Sequence, residues 1–232
     1  MMEYSTLFSH RLESRRACLL GLSCALLGGL WPGAAAYAGG QLEEPLADSV
    51  RSVLSASIAN SAPPRPVFED IQDRIDYLKW LGDMSSRLRK RKADHTTRVE
   101  FLETVWYESR RAGLDPSLVL GLIQVESGFR KYAVSHVGAR GYMQVMPFWA
   151  RVIGDGDADR LFHMQTNLRF GCVILRHYLD REKGNLFMAL GRYNGSRGRP
   201  EYPNLVFGAQ RAWAYQAKDR SQSLAAEAAL MR

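Results

Sequence analysis

The stretch Asp115-Pro116-Ser117-Leu118-Val119-Leu120-Gly121-Leu122-Ile123-Gln124-Val125-Glu126-Ser127 decides the fold. Asp115 can cap a helix, because its carboxylate accepts from the free N–H groups of the first turn, and Pro116 has its φ already set for the first helical position. Leu118, Val119, Leu120, Leu122, Ile123 and Val125 then put apolar side chains on nearly every face of that helix. A helix apolar all round belongs in the middle of a core, wrapped by other elements. It ends on a carboxylate. Glu126 at that place is costly unless it is paired, protonated or open to a cleft, and the nearest following cation, Arg130, is four positions on.

The flanking sequence supplies the wrapping. Residues 41–60 read as a weakly amphipathic helix closed by the stiff run Ser61-Ala62-Pro63-Pro64-Arg65-Pro66. Phe68, Ile71, Ile75, Leu78 and Leu81 recur at helical spacing and predict a helix over 67–91. Thr97-Arg98-Val99-Glu100 has the pattern of a capping box, opening a helix that stops near Gly113. Further helices are predicted over 142–153, 166–181, 186–193 and 204–217, and no stretch sustains a period of two. The expected fold class is all-α.

Composition agrees with a folded core. Of 232 residues, 46% are hydrophobic and 24% charged, which excludes a disordered chain. Twenty glycines and nine prolines follow no period, so collagen-like and low-complexity architectures are excluded. Three cysteines are too few for a disulfide scaffold. The net charge of +7 favours an anionic partner. Arg87, Arg89, Lys90, Arg91 and Lys92 concentrate it, and two readings stand: a solvated helix end, or a patch for an anionic wall polymer, lipid or nucleic acid.

Arg11, Arg15 and Arg16, an apolar run from Ala17 to Trp31, and Ala36-Tyr37-Ala38 make the three parts of a secretory signal, cleaved after about Ala38. The 15-residue apolar run spans only about 22 Å of helix against a hydrocarbon core of roughly 30 Å, so no stable transmembrane anchor is expected. Export is thus expected, into a bacterial periplasm, with the Sec and twin-arginine routes both open. Cleavage leaves 194 residues with Cys172 as the single cysteine, in an apolar setting that suits an inert buried thiol. The organisation expected is a signal peptide over 1–38, a helical N-terminal extension with the Pro-rich linker over 39–97, a core over 98–217 and a flexible tail over 218–232.

Three short motifs surround Glu126 in order: Glu126-Ser127; Gly141-Tyr142-Met143-Gln144 with Met146-Pro147; and Tyr193-Asn194-Gly195. Each is weak alone, but the ordered set is specific. It resembles the soluble lytic transglycosylase (SLT) family, with Tyr142, Arg192 and Gly195-Ser196 as departures from that family's pattern. The resemblance covers residues 98–215 and implies a lysozyme-like core. It also implies an activity: cleavage of the MurNAc-β-1,4-GlcNAc bond of peptidoglycan with a 1,6-anhydromuramoyl product. Glu126 would be the single catalytic group, acid first and then base. Ser135 and Tyr193 would be hydrogen-bonding groups around it, and Gln144, Met146 and Asn194 would shape the sugar cleft. Glycan strands are then the partner, with no cofactor or metal, no nucleic acid, and a possible protein partner for the N-terminal helices.

From the residues alone, glycoside cleavage usually needs a proton donor and a second carboxylate. Asp155, Asp157, Asp159, Asp180, Glu182 and Glu201 all lie outside the motifs. An acid working near neutral pH needs a raised pKa, for which Val125, Phe129, Met143 and Met146 are candidate apolar walls. For Met143 and Met146 the reading as plain core stands beside that role, and for Asn194 a helix C-cap is the second reading. Two other functions stay open: a lysozyme-type muramidase using water, and a wall-binding module without catalysis. Asp155-Gly156-Asp157-Ala158-Asp159 lacks the later ligands of a calcium loop and reads as a turn and cap. Trp149 and Trp213 read as core.

Overall fold

The computed structural model describes residues 41–59 and 66–216. The expected signal over 1–38, the linker residues 61–65 and the tail over 218–232 lie outside the described residues. Among the described residues are eight α-helices: α1 (Asp48–Ala59), α2 (Ile71–Leu88), α3 (His95–Arg111), α4 (Pro116–Ser127), α5 (Pro147–Ile153), α6 (Met164–Arg181), α7 (Leu186–Asn194) and α8 (Glu201–Trp213). A 3-10 turn spans Ala158–Phe162. Two isolated bridges, Val134 with Arg140 and Arg140 with Val145, tie the loop between α4 and α5. The class is all-α.

α4 takes the central place its composition requires, with Leu118, Val119, Leu120, Leu122 and Ile123 buried. Asp115 caps it by accepting from the Ser117 N–H at 2.8 Å. α8 crosses α4 so closely that a Cβ on Gly121 would stand 2.6 Å from the Gln210 nitrogen. α3, α6 and α7 complete the shell, and the buried Glu108 of α3 holds Arg169 of α6 at 2.9 Å. Trp149, Trp213 and Cys172 are buried, as expected. Burial pushes the Cys172 thiol well above its ordinary range, which keeps it unreactive.

Two local expectations fail. α3 starts at His95, capped by Asp94, whose carboxylate accepts from Thr97 N–H at 2.8 Å. The Thr97–Glu100 capping box does not form, because Arg98 is needed as a helical residue. Its guanidinium donates to the Lys92 and Ala93 carbonyls and to Ser85 Oγ, closing the end of α2. Residues 142–146 are not helical: Gln144 has φ 48°, and the helix starts only at Pro147. Proline disfavours the helical conformation in the residue before it, here Met146, and serves well at the first helical position. Other bounds move by a few residues: α2 is 71–88 rather than 67–91, α6 starts at 164 and α8 runs 201–213 rather than 204–217.

Arg87, Arg89, Lys90 and Arg91 at the end of α2 are exposed, as a solvated helix end would be, yet three of the five basic residues also make contacts. Arg87 donates to the Ala212 and Ala214 carbonyls beyond α8. Arg91 donates to Gln124 Oε1 and lies over the Phe129 ring. Lys92 donates to the Tyr142 hydroxyl at 2.6 Å and lies over the Phe101 and Tyr142 rings. Burial lowers its pKa, and Lys131 adds to the effect. The N-terminal segment 41–59 is also part of the packed structure, α1 lying on α5 and α6. No helix among the described residues is long and apolar enough to cross a membrane.

Candidate active site

Glu126 sits in the last turn of α4, which Gly128 ends in the left-handed conformation with φ 57°. The side chain is buried, 3% exposed. The Tyr202 hydroxyl, from the first turn of α8, donates to Oε1. Oε2 is buried and accepts no hydrogen bond. Burial raises the pKa from 4.5 to about 8, outweighing the Tyr202 hydrogen bond, which lowers it. Glu126 is therefore mostly protonated at neutral pH, and Oε2 is the oxygen left to carry the proton. Among the described residues no second carboxylate contributes to this shift.

The other two motifs meet around it. Ser127 Oγ donates to the Tyr142 carbonyl at 2.7 Å, joining the end of α4 to the loop 140–146. Tyr193 is fully buried on α7 and donates to the Met143 carbonyl at 2.7 Å. Burial raises its pKa well beyond the ordinary tyrosine value, and the neighbouring Glu126 adds to this, so Tyr193 stays a neutral donor. Tyr202 is held neutral in the same way, by burial first and then Glu126. Asn194 closes α7 but is not the C-cap, a place Gly195 takes with φ 78°. Its Nδ2 donates to Ser196 Oγ at 3.0 Å, and its Oδ1 is buried without a partner.

The remaining predicted residues build the loop. Gln144 Nε2 donates to the Ala133 and Gly141 carbonyls at 3.1 and 2.9 Å, which holds the strained turn. Met143 is fully buried against Gly171, where a Cβ would meet its sulfur at 2.3 Å. It is core. Met146 is half-buried at the N-cap of α5. Ser135 orders its own turn: its Oγ accepts from Ala139 N–H at 3.0 Å, and no hydrogen bond joins it to Glu126. Phe129 packs on Phe101 and Trp213. The acids of residues 155–159 work as turn and cap: Asp155 and Asp157 accept from backbone N–H groups, and Asp159 pairs with Arg140 at 2.6 Å.

Two residues of consequence were not legible. Tyr202 shares the apolar stripe Tyr202, Val206, Ala209, Trp213 of α8, and that spacing reads as core. Asn167 of α6 suspends the loop: Oδ1 accepts from Met143 N–H, and Nδ2 donates to the Arg140 and Leu161 carbonyls. Its only signal is a polar residue beside Leu168 and Phe170 on a helix otherwise rich in buried positions.

The family description Transglycosylase SLT domain matches residues 103–215. Membrane-bound lytic murein transglycosylase C of Glaesserella parasuis is 40% identical over 148 residues, covering 54% of this chain and 36% of that protein. The transglycosylase of Enterobacteria phage PRD1 is 35% identical over 104 residues, covering 45% of this chain and 38% of that protein. Lytic transglycosylase Slt of Pseudomonas aeruginosa, a solved structure, overlaps with TM-score 0.39 and 18% identity over 75% of this chain and 36% of that one. The chain thus spans under two fifths of the length of each of these relatives. Residues 103–215, in which the three motifs converge on one buried glutamic acid, match the transglycosylase SLT domain family.

Proposed function

We propose that this protein is an exported lytic transglycosylase that cleaves the MurNAc-β-1,4-GlcNAc bond of peptidoglycan, with Glu126 as acid and then base. The observation that carries the reading is the setting of Glu126: buried, its pKa pushed up to about 8, with one oxygen uncommitted and, among the described residues, no second carboxylate acting on it. Hydrolysis by the usual two-carboxylate routes needs a partner for that acid. A single glutamic acid suits a reaction in which the substrate supplies the other groups.

In the first step Glu126 gives its proton to the glycosidic oxygen, and the bond from muramoyl C1 to that oxygen breaks. The electron pair leaves with the oxygen, and the 2-acetamido carbonyl of the muramoyl residue shares the positive charge at C1. In the second step the ionised Glu126 takes the proton of the muramoyl 6-hydroxyl, whose oxygen bonds to C1. The carboxylate left by the first step is the base of the second, which restores the acid, and no water is consumed. Tyr202 suits the ionised state, since a hydroxyl donating to Oε1 stabilises the carboxylate. Tyr193, Asn194, Gln144, Met146 and Ser135 form the surrounding framework, with the orphaned Asn194 Oδ1 as an acceptor for a sugar N–H or hydroxyl. The anionic wall and the periplasm match the basic balance of the chain and its N-terminal signal pattern.

Digestion of purified peptidoglycan, read by mass spectrometry, tests this. Wild type should release muropeptides lighter by one water than those from a hydrolase, and Glu126→Gln should release none while remaining folded. Products of hydrolytic mass, or an active Glu126→Gln, defeat the proposal.

A further inference from the structure

We propose that the outward face of α2 is an interface with a second copy of this chain, the two helices pairing antiparallel about a twofold axis between Ile75 and Leu78. The inference stands apart from the catalytic reading. α2 carries two apolar stripes. Tyr77, Trp80, Met84 and Leu88 are buried in the core. Ile71, Ile75 and Leu78, whose spacing predicts the helix, face outward instead and are 67%, 38% and 53% exposed. Side chains at i, i+4 and i+7 share one side of a helix, so the three form a strip. Single exposed apolar residues are ordinary, whereas a contiguous strip rimmed by charges marks an interaction surface. Gly82 continues the strip beyond Leu78, and a glycine inside a helix weakens it. Nothing within the chain requires that glycine, since a Cβ there would meet no atom within 4 Å. Gly121 and Gly171, by contrast, are each pressed by a neighbouring element.

The occupant that fits this surface is the same surface, because it is self-complementary. Ile71 and Gly82 stand equally far from the midpoint between Ile75 and Leu78. One antiparallel register therefore sets Ile71 of each copy over Gly82 of the other, and Ile75 against Leu78. Beside Gly82 a groove of about 470 Å³, lined by Leu81, Ser85, Arg89 and Val99, opens between α2 and the start of α3 and receives Ile71 of the second copy. The charges agree with this direction. Glu69, Asp70 and Asp73 at the start of the helix and Arg89 and Lys90 at its end are exposed, and among the described residues none of the five has an ion-pair partner. Antiparallel pairing lays the acidic start of one copy beside the basic end of the other, where a parallel pair would set like against like. A twofold contact of this kind closes at two copies. Two helices in contact over this length bury less than the roughly 1,200 Å² of stable complexes, so the dimer is a weak one, with Kd on the order of 10 to 100 µM.

Sedimentation velocity on residues 39–232, the form left by cleavage after Ala38, tests this from about 5 to about 500 µM. The mean mass should rise toward twice that of the monomer across the range. Ile75→Glu puts a charge in the middle of the strip, and Gly82→Gln places a side chain where Ile71 of the second copy lies. Each should raise Kd by about tenfold or more. On dilute, monomeric protein the thermal midpoint of Ile75→Glu should stay near wild type. That of Gly82→Gln should equal or exceed wild type, because the glycine serves no contact inside the chain. A wild type that is monomeric throughout overturns the inference. So does a dimer that either variant leaves intact, which would place the contact elsewhere. A fall in the thermal midpoint of dilute Gly82→Gln shows the glycine to be needed within the chain and overturns the register. A monomer that floats with anionic phospholipid vesicles, and does so only with Ile75 in place, assigns the strip to a membrane surface and overturns the dimer as well. Activity on peptidoglycan enters none of these readings.

Discussion

The protonation of Glu126 can be measured without any substrate, through stability. In the folded protein its pKa is about 8, against an ordinary 4.5. A folded pKa raised above the unfolded one gives stability that is complete below the unfolded value and lost as pH rises through the folded value. Between these two values the unfolded chain releases a proton that the native state keeps, so stability falls by about 1.4 kcal/mol per pH unit. From pH 5 to pH 8 the unfolded form is already partly ionised at the start and the folded form half ionised at the end. The loss over that interval is then about 3 to 4 kcal/mol. Glu126→Gln lacks this term, because an amide does not titrate there. It retains an acceptor for the Tyr202 hydroxyl, and its constant cost of a buried NH2 group cancels between the two pH values. Urea unfolding of wild type and Glu126→Gln at pH 5 and pH 8 yields the double difference directly. The variant should gain about 3 to 4 kcal/mol on wild type over that range. A double difference near zero would show that Glu126 is not held protonated, and the argument for it as an acid at neutral pH would fall with it.

Tyr202→Phe removes the hydroxyl that lowers the Glu126 pKa. The basic limb of the kcat/KM profile should rise by about 1 pH unit or more, as a hydrogen bond to a charged group is worth about 1.5 to 3 kcal/mol. A limb that stays in place would remove Tyr202 from any part in tuning the acid. Arg169→Met takes from the buried Glu108 carboxylate the nearer of its two arginine partners, leaving only Arg111 at 3.4 Å; burial already raises its pKa against the pull of both. It should cost about 3 to 5 kcal/mol in urea unfolding at pH 7, and pairing it with Glu108→Leu should restore most of that. Equal stability of the single and double variants would show the pair to be incidental.

The reading of α4 succeeded because its information is local. Asp115 and Pro116 start the helix whatever surrounds it, and an apolar surface on every face has nowhere to go but the centre. Glu126, Tyr193 and Asn194, singled out by the motif resemblance, each stand near the end of a helix with its own stop signal, Gly128 or Gly195. The helix predicted from residue 142 failed because its apolar residues, Tyr142, Met143 and Val145, are buried by a loop hung from Asn167 of α6, a long-range contact. The capping box failed because Asp94 caps the helix three residues earlier than Thr97 and Arg98 was committed to α2.

The sequence by itself thus determined an all-α chain, its central helix and the carboxylate that ends it, because caps, periodicity and burial cost act within a few residues of one another. Only the tertiary structure decided what that carboxylate is. Tyr202 comes from α8, and the burial that raises the Glu126 pKa is a sum over neighbours distant in the chain. A pKa depends on solvent exclusion in three dimensions, so the difference between an exposed glutamate and an acid at neutral pH was set by the packing.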